Sequence, residues 1–194
     1  ISTVNYTLGN NLEHLILEGN EQIHGTRNGL ANTLTGNYSW NRLSGLAGND
    51  TLIGFIGNDT LTGGAGLDAF RFLTLGNPSG NLVRITDFNS ADDRLQLDNG
   101  ASGYTSVGPN GALAAAAFRL GSAAADASDR IIYHRASGAM YYDSDGTGAG
   151  AKLQFAQFAL AMSILRRRTC VPSGNSPAFI RRSRSRFSAT ERPR

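Results

Sequence analysis

A nine-residue period over residues 45–71 constrains this chain more than any other feature. Gly45, Gly54 and Gly63 open three consecutive nonapeptides, and Gly48, Gly57 and Gly66 hold the fourth position. Asp50, Asp59 and Asp68 hold the sixth, and Leu52, Leu61 and Phe70 the eighth. The period extends backwards in weaker form. Leu43 and Leu34 continue the apolar column, Asn41 and Asn32 the Asp column, and Gly36 the first Gly column. Repeats this short bury a core only by stacking on their neighbours. Each nonapeptide reads as a six-residue turn and a three-residue strand with one inward apolar side chain.

The turns carry the chemistry. Gly at the first and fourth positions admits a positive φ and lets backbone carbonyls converge. Asp at the sixth adds a carboxylate. A hard cation takes several oxygens at about 2.3–2.6 Å, and calcium tolerates irregular mixed shells. Carbonyls and carboxylates without His or Cys favour calcium over zinc or copper. The competing reading is that these Asp residues only cap turns.

The phased triplet resembles the RTX (repeats-in-toxin, hemolysin-type) calcium-binding repeat. The resemblance implies an all-β fold, a right-handed parallel β-roll in which two nonapeptides form one coil. It implies Ca2+ as the cofactor, held between turns eighteen residues apart. Asp50 and Asp68 then share one edge, and Asp59 lies on the other, facing the row of Asn41. Leu52 and Phe70 stack in one sheet, Leu43 and Leu61 in the other. The implied ligands are Asp50, Asp59 and Asp68, with backbone carbonyls of Gly48, Gly57, Gly64 and Gly66. This sequence departs from the pattern where Leu46 and Phe55 replace the second Gly, where Asn32 and Asn41 replace Asp, and where Ser39 replaces the fourth-position Gly. The Asp50/Asp68 edge is therefore expected to hold calcium best, and residues 27–44 to be metal-free.

Residues flanking the repeats fit the same picture. Tyr6, Thr7, Leu12, Leu15 and Leu17, punctuated by Gly and Asn, read as short strands of degenerate lead-in coils. Residues 82–97 are similar to the post-repeat segment of serralysin-type proteins. That likeness places Asp87 and Asp93 on either side of a turn between two strands, as a calcium site or as a solvated acidic turn. Residues 112–118 allow a short helix. Residues 130–134 and 139–143 read as a hairpin, and residues 153–158 as the last strand. Asp143 and Asp145 lie in an Asp-Ser-Asp-Gly run like the start of an EF-hand loop, but no Glu closes it. They are a further calcium candidate or a closing turn.

Charge divides the chain. Residues 1–162 carry nine basic and fourteen acidic side chains, whereas residues 163–194 carry nine Arg and only Glu191. The net charge of +3 thus reports the tail, not a basic body, and no nucleic-acid partner is expected. The tail lacks periodicity and reads as disordered. It does not match the acidic or apolar export signal that the resemblance implies, so a frameshift origin and a lost signal to a type I secretion machinery are expected. The competing reading is a nucleic-acid or membrane-surface arm.

Several classes are excluded. A single Cys precludes an intrachain disulfide and a thiolate zinc site. No apolar run reaches the roughly 20 residues of a membrane span. There is no His-Glu-x-x-His, no Gly-x-Ser-x-Gly and no P-loop. His14, His24, His134 and Cys170 have no supporting catalytic neighbours in sequence. Trp40 is expected to pack over a roll edge, and Asn37-Tyr38-Ser39 matches a glycosylation sequon that the bacterial origin implied by the resemblance would make irrelevant. The expected organisation is a β-roll over 1–74, a β capping region over 75–160 and a disordered tail over 161–194. The expected function is a non-enzymatic, calcium-folded module of a larger secreted, extracellular bacterial protein. The alternatives are the non-catalytic C-terminal domain of a secreted protease, lipase or polysaccharide-modifying enzyme, or a segment of a surface adhesin.

Overall fold

A computed structural model describes residues 1–74, 81–100, 104–159 and 170–173. The described residues form two sheets and no α-helix. Strands alternate between the sheets as the chain advances. One sheet takes β1 (Tyr6–Thr7), β3 (His24–Thr26), β5 (Arg42–Ser44), β7 (Thr60–Thr62) and β9 (Val83–Ile85). The facing sheet takes β2 (His14–Ile16), β4 (Thr33–Thr35), β6 (Thr51–Ile53), β8 (Ala69–Phe72) and β10 (Arg94–Asp98). All pairings among these strands are parallel. This is the β-roll that the repeat predicts.

Three-residue strands follow from local sequence. In β4 and β7 a Leu sits between two Thr residues, so the Leu points in and the β-branched Thr residues point out. The parallel register then stacks like on like. Leu15, Leu34, Leu52, Phe70 and Leu95 are successive partners in one sheet. Gly25, Leu43, Leu61 and Ile85 are successive partners in the other. All but Gly25 are fully buried core residues, each worth about 1.5–3 kcal/mol of apolar burial. Gly25 leaves a gap that the Cδ2 atoms of Leu15, Leu34 and Leu43 fill. Both sheets continue past residue 74 through β9 and β10, so the strands on either side of that expected boundary hydrogen-bond to one another.

Beyond the roll, β11 (Phe118–Leu120), β12 (Ile131–His134), β13 (Ala139–Tyr142) and β14 (Leu153–Phe158) extend the first sheet. β12 and β13 form the expected antiparallel hairpin, and β14 joins it to β9. Edge-on aromatic pairs seal the junction: Phe72 with Phe155 at 5.1 Å, Tyr104 with Phe155 at 5.1 Å and Phe88 with Phe158 at 5.4 Å between ring centroids.

Three expectations need correction. The short helix over 112–118 shrinks to one 3-10 turn, Ala115–Ala117, because the chain becomes extended at Phe118 to enter β11. Trp40 does not pack over the edge; it stands 55% exposed. The tail is not disordered throughout, because β15 (Cys170–Ser173) pairs in parallel with β10, from Leu95↔Cys170 to Asp98↔Ser173. β15 covers what would otherwise be an open edge of the second sheet. The proposed frameshift and the remaining basic tail lie outside the described residues.

Candidate metal-binding turns

Every strand of the repeat region begins just after a position-six residue. Asn32, Asp50 and Asp68 precede β4, β6 and β8 on one edge; Asn41 and Asp59 precede β5 and β7 on the other. Asp93 precedes β10 and so joins the first column, a placement the irregular spacing of residues 82–97 hides in the sequence. All these side chains are buried, although charged groups ordinarily face solvent.

A backbone-to-carboxylate ladder fixes them. Along the first edge, Asn32 N donates to Asp50 Oδ1 at 3.1 Å, Asp50 N to Asp68 Oδ1 at 3.0 Å and Asp68 N to Asp93 Oδ1 at 3.1 Å. On the second edge, Asn41 N donates to Asp59 Oδ1 at 2.8 Å. One oxygen of each repeat carboxylate is thereby spent. The other, Oδ2 of Asp50, Asp59 and Asp68, is buried and has no hydrogen-bond partner. Buried polar atoms without a partner are uncommon in native folds and cost about 1–3 kcal/mol each.

The turn glycines sit where those oxygens converge. A Cβ on Gly45 would collide with the Gly63 carbonyl oxygen and would lie 2.5 Å from Asp50 Oδ2; one on Gly63 would lie 2.5 Å from Asp68 Oδ2. At Gly54 it would collide with Asp59 Oδ2. The fourth-position glycines face backbone instead. A side chain on Gly48 would approach the Leu30 carbonyl, on Gly57 the Ser39 carbonyl and on Gly66 the Gly48 carbonyl, and all three have positive φ. Gly64, at +96°, lies against the Leu46 carbonyl in the same way. Leu46 and Phe55 keep the left-handed backbone of the Gly they replace, at φ 61° and 73°. The substitutions thus strain the turn by about 1–2 kcal/mol without changing its path.

Burial makes the carboxylates reluctant to ionise. It pushes Asp59 and Asp93 up to about 7 and Asp50 up to about 6, and it raises Asp68. Backbone N–H donors oppose the shift at Asp59, and the Arg27 guanidinium opposes it at Asp50. Such sites favour a proton or a cation. Among the described residues, no three His, Cys, Asp or Glu side chains converge as a metal centre. The donor set is one carboxylate per turn with neighbouring carbonyls, all oxygen, which suits a hard cation such as calcium.

The other sequence candidates are differently engaged. Asp87 accepts from Gly63 N at 2.9 Å and Gly64 N at 2.7 Å, one bond to each oxygen. Asp93 Oδ2 accepts from Asn89 N at 2.7 Å. Asp143 Oδ1 accepts from Gly146 N at 2.9 Å, and the exposed Asp145 accepts from Gly150 N at 2.9 Å. Asp143 and Asp145 tie a turn away from the repeat, whereas Asp93 stands beside Asp68 on the first edge and Asp87 holds the backbone of the Gly63–Asp68 turn.

Sequence reasoning missed Arg27. It is fully buried; Nη1 pairs with Asp50 Oδ1, and Nη2 donates to the Thr51 carbonyl at 3.2 Å. Burial pulls its guanidinium down to about 10 against the attraction of Asp50. The signal was present: Arg27 stands eighteen residues before Gly45, in the first Gly column.

The family comparison agrees with the geometry. Residues 35–69 match the family model of the RTX calcium-binding nonapeptide repeat (4 copies). No curated protein matches the chain. Among solved structures, the chain is similar to the solution structure of the AlgE6R3 subunit from the Azotobacter vinelandii mannuronan C5-epimerase. Identity is 26% and the TM-score 0.48, covering 87% of this chain and 82% of that one.

Proposed function

We propose that this chain is a calcium-binding module whose roll folds when calcium fills the Asp turns, within a larger secreted bacterial protein. The observation that carries the reading is the set of three buried, unpartnered oxygens, Oδ2 of Asp50, Asp59 and Asp68, in turns whose carbonyls converge. Bound calcium would supply the positive charge and oxygen coordination that these groups lack. Asp59 and Asp68 would serve as charged ligands, with Asp50 contributing its outer oxygen. Carbonyls of Gly48, Gly57, Gly64 and Gly66 would complete the shells. Asp87, Asp93, Asp143 and Asp145 would shape turns around them.

The mechanism is linkage. Without a cation, ionised Asp59 must be buried without a charged partner, and Oδ2 of Asp50 and Asp68 without a hydrogen bond, which opposes folding. With one, binding energy becomes folding energy. Extracellular calcium modules have dissociation constants of about 10⁻⁴–10⁻³ M, and filling one site to tenfold that value adds about 1.4 kcal/mol. Two or three coupled sites then decide the fate of a domain stable by only about 5–15 kcal/mol. A chain of this kind would keep its Asp coils unfolded for export by a type I machinery and fold them outside. It would be the non-catalytic companion of an upstream enzyme or adhesin, with residues 75–160 capping the roll.

The test is far-UV circular dichroism of the chain titrated with calcium, with magnesium as control. A cooperative gain of β signal with calcium alone is expected. An unchanged spectrum at about 10 mM calcium, well above the weak end of such sites, would overturn the reading.

A further inference from the structure

The buried Arg27 occupies a place that the repeat reserves for something else. In turns 45–50 and 63–68 the first position is Gly, and the carboxylate leans over its bare Cα. Turn 27–32 lies on the same edge, one coil earlier. There the first position is Arg27, the fourth is Leu30 instead of Gly, and the sixth is Asn32 instead of Asp. These departures fall together. The Gly that leaves room for an oxygen shell becomes a cation, and the carboxylate that would share an ion becomes a neutral amide.

The geometry completes the exchange. The Arg27 side chain runs from turn 27–32 to the next turn on its edge, where its guanidinium meets the Asp50 carboxylate and the Thr51 carbonyl. Both partners belong to the following coil, so Arg27 joins two turns eighteen residues apart. Asn32 N donates to the same Asp50 oxygen, and Asn32 Nδ2 turns away to the Leu12 carbonyl at 3.1 Å. One fixed positive charge thus faces one carboxylate in a space closed to water. Arg suits this place because its charge persists when buried and its fork donates to two acceptors at once.

We propose that Arg27 is a built-in surrogate for calcium: it fills the first inter-turn cation position of this edge and makes the coil below Asp50 independent of metal. The calcium column therefore starts at the Asp50/Asp68 pair. This deepens the calcium reading and rests on it. Arg27 is a positioning residue, holding Asp50 Oδ1 so that Oδ2 points toward the next turn.

The experiment uses the full chain and three proteins: wild type, Arg27→Met, and Arg27→Gly combined with Asn32→Asp. Calcium stoichiometry is measured by equilibrium dialysis, and thermal stability with and without calcium. The double variant restores the first and sixth positions of the repeat, with Leu30 kept at the fourth, and is expected to bind one more calcium ion per chain than wild type. Arg27→Met is expected to melt well below wild type without calcium, and saturating calcium, but not magnesium, closes most of that gap. A buried Arg that only packs would lose stability equally in both conditions. Unchanged stoichiometry in the double variant, or a Met deficit that calcium leaves intact, overturns the surrogate role while sparing the calcium reading. A wild type that binds no calcium overturns both. If Arg27→Met fails to fold in either condition, the metal-independent role has failed too, because calcium should then have replaced it.

Discussion

Replacing Asp59 by Asn separates the cost of an empty site from the benefit of a filled one. Asp59 is buried, its Oδ1 accepts from Asn41 N at 2.8 Å and its Oδ2 has no partner. Burial raises it from 3.8 to about 7. At about 1.4 kcal/mol per pH unit, ionising it inside the metal-free roll costs about 4 kcal/mol at pH 8. The folded-state value lies above the unfolded one. The contribution is therefore complete below about pH 3.8 and is lost as pH rises to about 7. An Asn keeps the acceptor and removes the charge, but brings two N–H donors, and leaving one unmet costs about 1–3 kcal/mol. The chain already shows how an Asn is accommodated in this column. Asn41 Nδ2 donates to the Ile23 carbonyl and to Asn37 Oδ1, each at 2.9 Å. The equivalent acceptor for residue 59 is the Asn41 carbonyl, which takes Thr60 N at 2.8 Å and keeps a second lone pair. The net gain for metal-free Asp59→Asn at pH 8 is about 2 kcal/mol, or roughly 6 °C in melting temperature for a chain of this size. At pH 5 the ionisation cost falls below about 2 kcal/mol and the gap closes. In calcium the order reverses, because the variant has lost a ligand. Thermal melts by circular dichroism in chelator and in calcium, at pH 5 and 8, read all four corners. A metal-free variant that melts no higher than wild type at pH 8 would refute the reasoning.

Three further outcomes follow from the same geometry. Because burial raises Asp50, Asp59, Asp68 and Asp93 together, metal-free wild type should lose stability as pH rises from about 4 to 8; calcium affinity by dialysis should weaken on acidification, and a metal-free melting temperature that rises with pH would contradict this. Gly66→Ala places a Cβ against the Gly48 carbonyl at φ +144°. It should cost at least about 2 kcal/mol, seen as a lower urea midpoint in calcium, and an unmoved midpoint would show that the turn relaxes freely. Leu52→Ala, between Leu34 and Phe70 in the stack, should cost about 2–5 kcal/mol with calcium stoichiometry unchanged. A lost ion would mean that stack and turns are not separable.

The roll was legible because its signal is periodic. A Leu every nine residues and a parallel register place Leu34 on Leu52 and Leu43 on Leu61 with nothing else to decide. The two edges followed from the same arithmetic, and Asp50 does hydrogen-bond toward Asp68 while Asn41 does so toward Asp59. What escaped lay where spacing breaks. Six extra residues separate Leu61 from its partner Ile85, so Asp93 could not be counted into the Asp column although it stands there. β15 escaped because a four-residue strand in an Arg-rich tail has no pattern of its own and forms on the edge of β10. The small 3-10 turn at Ala115–Ala117 was overstated as a helix because Ala-rich composition favours helix while the neighbouring strand β11 demands extension. Arg27 sat in plain view in the Gly column, but its meaning depends on a contact across eighteen-residue coils.

The sixth position of the repeat solves one electrostatic problem in three ways across the two edges. At position 41 the side chain is neutral, and its amide both donates and accepts, so that turn closes on protein groups alone. At position 50 the side chain is charged, and an arginine from the preceding coil answers one of its oxygens. At positions 59 and 68 the side chain is a carboxylate whose Oδ2 has no hydrogen-bond partner, although Arg27 and Arg94 attract Asp68 through space. The Oδ1 partners differ accordingly: Asn41 Oδ1 accepts within its own turn, from Asn37 N, and Oδ1 of each Asp accepts from the preceding coil. The difference lies in where the compensating charge comes from: none needed, carried by the chain, or taken from outside. If the Asp turns hold calcium as proposed, the demand for an external cation would grow along the roll from the lead-in coils to the Asp turns. A roll graded in this way has a metal-independent end on which the metal-dependent coils can stack. On the proposed calcium reading, calcium would act on the later coils without having to nucleate the first, and each added turn would need only the interface below it.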